Sequence, residues 1–77
     1  MNIGSELKLA FQNVAPHIVN LELLQSIIQE TANAAESIED VIGILEGRME
    51  GQEVTAKTDI RILINEVMHL MKRKSTG

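Results

Sequence analysis

From Leu21 to Met49 the chain repeats itself in steps of three and four: Leu21, Leu24, Ile28, Thr31, Ala35, Ile38, Ile42, Leu45 and Met49. At about 100° per residue, Leu24, Ile27, Ile28, Ala34, Ala35, Ile38, Val41, Ile42, Leu45 and Met49 share one helical face. Glu22, Gln25, Gln29, Asn33, Glu36 and Asp40 occupy the other. The phase never slips, which predicts one helix from Pro16 to about Glu50, roughly 50 Å long at a rise of about 1.5 Å per residue. An alternative breaks this helix near Asn33, where Asn33 and Glu36 have the spacing of a capping box. Average helix length favours the break; unbroken phase and the helix-forming Ala32, Ala34 and Ala35 favour continuity.

Two further helices flank this one. Ile3, Leu7, Ala10, Phe11 and Val14 recur at helical spacing, predicting a short helix over 5–13 with Ser5 or Asn2 as its cap. Pro16 suits the first turn of the next helix and disfavours helix at Ala15. Gly43, Gly47 and Gly51 then weaken and end the central element, with Gly43 and Gly47 on its polar face. After Gln52, Glu53 and Val54, a last helix is predicted over 55–74, capped by Thr55 or Thr58. Its apolar arc is Ile60, Leu63, Ile64, Val67, Met68, Leu70 and Met71. Asp59 in its first turn and Lys72, Arg73 and Lys74 in its last would complement the helix dipole. Residues 75–77 are expected as a disordered tail.

The pattern therefore predicts an all-α, single-domain helical bundle over 1–77. It has a short N-terminal helix, a long central helix, and a C-terminal helix that forms an antiparallel hairpin with it. At 77 residues such a domain buries only about 60% of its unfolded surface, so its stability is marginal. Phe11 is the sole aromatic residue, so the core must be aliphatic, and without cysteine there is no disulfide to reinforce it. A composition 44% hydrophobic and 23% charged belongs to a folded chain rather than a disordered one. No apolar run is long enough to cross a bilayer and no signal-peptide pattern opens the sequence, which makes the cytoplasm the expected location. A net charge of −4 disfavours nonspecific binding to nucleic acid or anionic membranes.

The chain carries little recognisable chemistry. His17 and His69 are far apart and share no helical face with a second ligand, so neither metal nor cofactor is expected. The carboxylate pairs Glu36 with Asp40, Glu39 with Asp40 and Glu46 with Glu50 fall mostly on polar faces, and Ser5, Ser26 and Ser37 lack a neighbouring histidine. The reading is a noncatalytic protein-interaction module, acting as a small adaptor, inhibitor or chaperone-like regulator. Ile18, Val19, Leu21, Leu23, Leu24, Ile27 and Ile28 surround much of their helix, which points to a homodimer pairing Leu21, Leu23, Leu24, Ile27 and Ile28. Ile44, Met49, Met68 and Met71 are the candidates for a second protein partner, methionine being adaptable at binding surfaces. One alternative is a dimeric DNA-binding regulator using Lys72, Arg73 and Lys74; another is a structural assembly subunit.

Overall fold

Pro16 opens a turn and not a long helix. The computed structural model describes residues 3–76, with side chains through residue 72. Within them the order is α1 (Ile3–Val14), a 3-10 turn (Ala15–His17), α2 (Leu21–Ala34), α3 (Ile38–Met49) and α4 (Val54–Thr76), with no strand. The expected helix over 16–50 is thus two helices and a turn, and the first helix is longer than the 5–13 predicted. Ser5, a candidate cap, lies inside α1; Asn2, the other, lies outside the described residues.

The first interruption has a distant cause. Ile18 takes an extended conformation (φ −95°, ψ 132°) and buries its side chain in the core. The next two residues turn their backbones toward α4. There the Val19 N–H donates to Asp59 Oδ1 (3.2 Å) and the Asn20 N–H to Asp59 Oδ2 (2.8 Å). The Asn20 side-chain amide adds a third bond to Oδ2 (2.9 Å). A helix running on from Pro16 would bond those N–H groups within itself, so the carboxylate replaces local helical bonds and delays α2 until Leu21.

The second interruption is local. Ser37 is the N-cap of α3, with its Oγ accepting from the Asp40 N–H (3.1 Å). Asp40 in turn accepts from the Glu36 N–H (3.0 Å). Two N-terminal donors are satisfied by this reciprocal pair, a relative of the capping box. The break therefore falls at 35–37, with Ser37 rather than Asn33 as its cap.

Gly51 ends the central region as its sequence position predicts, with φ at +80°, where a side chain would be strained. The Gln52 N–H donates back to the Met49 carbonyl (3.3 Å). The chain then turns into α4, whose first carbonyl bond runs from Lys57 N–H to Glu53 O (2.9 Å). Neither threonine supplies the expected side-chain cap: Thr58 Oγ1 donates to the Val54 carbonyl inside the helix, and Thr55 is exposed. Ser75 and Thr76 extend α4 instead of forming a tail, and Gly77 lies outside the described residues.

α4 is the spine of the bundle, packing most extensively on α3 and α1, while α2 bridges α1 and α3. The bonds of 13 to 66 and 20 to 59 show that the chain from the end of α1 through the 15–20 connection runs opposite to α4. The short 50–53 connection makes α3 and α4 the expected antiparallel hairpin. Leu7, Leu24, Val41, Leu45, Ile60 and Leu63 meet at the centre with 1% exposure or less. Thr31 is buried among them, satisfied by its own bond to the Ile27 carbonyl (2.7 Å). The radius of gyration is 11.5 Å, and about 11.5 Å is what a compact domain of this length should have.

Candidate interaction surfaces

α1 turns its Leu7, Ala10 and Val14 side into the core. Phe11 lies on the flank of that stripe, about 60° from its centre at 100° per residue, and is only partly buried. α2 buries Leu24, Ile27 and Thr31. On its α1-facing edge it carries Leu21, Gln25, Ile28 and Ala32, one above the other. Between these two edges runs a groove of about 690 Å³, open along its length. Phe11, Ile28 and Ala32 form its apolar floor, while Lys8 on one bank and Glu22, Gln25 and Gln29 on the other are its polar rim.

The five residues expected to mediate self-association separate. Leu24 and Ile27 are buried at 0% and 2% exposure within the chain's own core, so they are not available to a partner. The burial comes from α1 and from the second half of the broken central element, which folds back and covers more of α2 than a straight helix would. Leu23 and Ile28 remain half-buried, and Leu21 is 43% exposed. Val19, at 73% exposure, extends the apolar surface at the same end of α2.

The second set separates too. Ile44, expected on a polar face, is half-buried, and Met49 packs against the core at the end of α3. Met68 and Met71 are the exposed members, at 47% and 36%. Lys72 is exposed; Arg73 and Lys74 lie in α4, and their side chains lie outside the described residues.

Glu30 and Arg48 pair across α2 and α3 with both side chains about half exposed, an arrangement worth less than about 1 kcal/mol. Asn13 donates to Glu66 across α1 and α4 (2.8 Å). Among the described residues no group of three or more His, Cys, Asp or Glu is placed to hold a metal ion, and His17 and His69 are exposed on different elements. No helix among them is long and apolar enough to cross a membrane. Gly43 and Gly47 face open space, with nothing within 4 Å of an added Cβ, so their spacing serves no close helix contact within the chain.

Two features escaped the sequence. Asp59, expected in the first turn of the last helix as a dipole partner, sits in the second turn of α4 at 1% exposure and holds 19–20 in place. Its signal was a carboxylate flanked by Ala56, Ile60 and Leu63 on the arc that faces inward. The groove itself left no such trace, because it depends on how α1 and α2 are juxtaposed. Compared with known proteins, the chain matches no protein-family model, no curated protein and no solved structure.

Proposed function

We propose that this chain is a noncatalytic protein-interaction module whose working surface is the α1–α2 groove. One observation carries the reading: the single aromatic side chain, Phe11, packs against the margin of the core, only partly buried, and lines the groove instead of being enclosed. A phenylalanine buries about 150–250 Å² when enclosed, a larger rigid apolar surface than the aliphatic side chains of this sequence offer. In a domain of marginal size the interior is where that area stabilises most, yet an entirely aliphatic set fills the interior. Phe11 beside Ile28 and Ala32, with exposed Leu21 on the same edge of α2, makes a half-covered apolar strip with a polar rim. An apolar centre rimmed by polar groups is the anatomy of a protein contact. It also suits an amphipathic helix laid along the groove.

The test is site-directed photocrosslinking of the full chain in the cells that make it. A photoreactive amino acid replaces Ser26, which lines the groove, or Glu46, exposed on α3. Discrete protein adducts from position 26 and none from position 46 support the reading. Equal yields from both, or none from position 26, contradict it.

A further inference from the structure

The turn between α2 and α3 interrupts a pattern that does not itself break. Leu24, Ile27 and Thr31 are the buried residues of α2, and Val41 and Leu45 those of α3. Counted at about 100° per residue along an uninterrupted helix, all five fall within one arc of about 100°. Two helices joined by a turn need not share a phase; one helix must. No glycine or proline stands between Thr31 and Ile42, and Ala34, Ala35 and Glu36 are good helix formers. The turn is held by two exposed bonds, from the Asp40 N–H to Ser37 Oγ and from the Glu36 N–H to Asp40 Oδ2. A straightened segment would instead bond the N–H groups of 36–40 to the carbonyls of 32–36.

A single copy cannot straighten there, because it would pull α3 off α2 and α4 off α1, uncovering Leu24, Ile27, Val41 and Leu45. Two copies can. Glu30, one turn before the break, pairs with Arg48, about three turns beyond it, so the two arms fold back on one another. Take a two-fold axis that lies in the contact plane between two straightened helices and crosses both at 35–37. It reverses their direction and turns their apolar faces together. α2 of each copy then meets α3 of the other, and α1 meets the other's α4, in the contacts that one chain already makes within itself.

We infer that 35–37 is a hinge on which α2 and α3 fuse into a single helix over 21–49, about 43 Å long, in a dimer that exchanges its α3–α4 halves. The partner is a second copy of this chain. Every surface buried in the monomer is buried again in the dimer, so the hinge and the concentration decide between them. The arms of one chain are tethered at an effective concentration on the order of millimolar, and exchange needs protein at that level or a weakened turn. Each copy keeps its own α1–α2 groove, whatever the groove binds.

The full chain, refolded from urea at about 1 mM, should sediment as a species of twice 8.5 kDa beside the monomer. Each dimer has two hinges, so a change at one position counts twice. Ser37→Ala removes a cap worth about fivefold in the equilibrium and should tighten the dimer about 25-fold. Glu36→Gly disfavours the fused helix about threefold per hinge and should loosen the dimer about tenfold. Crosslinking then identifies the contact. The chain has no cysteine, so Glu30→Cys and Arg48→Cys, both at exposed positions, each introduce a single thiol. When the two variants are refolded together, a short bismaleimide should join position 30 of one chain to position 48 of the other in the dimer fraction.

A mass of 8.5 kDa alone, in the wild type and in Ser37→Ala alike, overturns the hinge. So does a dimer without the crosslink from 30 to 48 between chains, or one that Ser37→Ala and Glu36→Gly shift in the same direction. Should Ser37→Ala not fold, which circular dichroism shows, the wild type and the crosslink decide by themselves.

Discussion

Asp59 has both carboxylate oxygens occupied by donors from 19–20, and water reaches almost none of it. Removing the carboxylate strands the N–H groups of Val19 and Asn20 in a part-buried site, each at a cost of about 1–3 kcal/mol. Asp59→Ala should therefore destabilise the fold by about 3 kcal/mol in urea denaturation, most of the stability of a domain this small. Asp59→Asn, which keeps one acceptor oxygen, should lose less. Equal losses for the two would show that side-chain volume, and not hydrogen bonding, is what matters there. Gly47 behaves oppositely. It is exposed within α3 with open space around it, so Gly47→Ala should stabilise by about 0.5–1 kcal/mol through reduced freedom of the unfolded chain. Loss of stability in that variant would mean that α3 is not helical at Gly47.

At the scale of the helices, Ser37 decides where α2 ends and α3 begins. Ser37→Ala should cost about 1 kcal/mol, the usual loss for an N-cap, as a shift in the midpoint of unfolding at unchanged slope. An unchanged midpoint would show that the break owes nothing to the Ser37–Asp40 pair. This break shows what hydrophobic spacing can and cannot report. The period places side chains on a face, and for Leu24, Ile27, Val41 and Leu45 that face points inward, while Ala34, expected on it, is exposed. A hairpin whose two arms face one core keeps the same phase as a straight helix, so the direction of the axis is invisible in the spacing. The cue lay in capping chemistry, at Ser37 and Asp40 rather than at Asn33. The first break was less legible still, since Asp59 lies about forty residues from the backbone it holds and no local pattern links them.

For the molecule as a whole, folding the central region back on itself changes what is left for a partner. A straight 50 Å rod would leave much of its apolar surface uncovered, whereas the bundle measures 36 × 24 × 16 Å and encloses Leu24 and Ile27. Leu63, at the meeting point of the helices with 0% exposure, should cost about 2–5 kcal/mol when replaced by alanine and leave the domain barely folded at room temperature. A loss below about 1 kcal/mol on thermal unfolding would place Leu63 outside the core. The all-helical class, the antiparallel final hairpin and the aliphatic core were all readable from composition and period. The groove was not, because it is a property of two helices and of the turn that sets them side by side. Of the surplus aliphatics at the start of the central region, Ile28 lines it.

The most direct test of that groove is the comparison of backbone amide shifts of the isotopically labelled full chain inside the cells that make it and after purification. A protein partner seated in the groove predicts shifts that differ between the two around Lys8, Phe11, Gln25 and Ile28, with 38–49 unchanged. Identical spectra, or differences centred on Met68 and Met71, would contradict it.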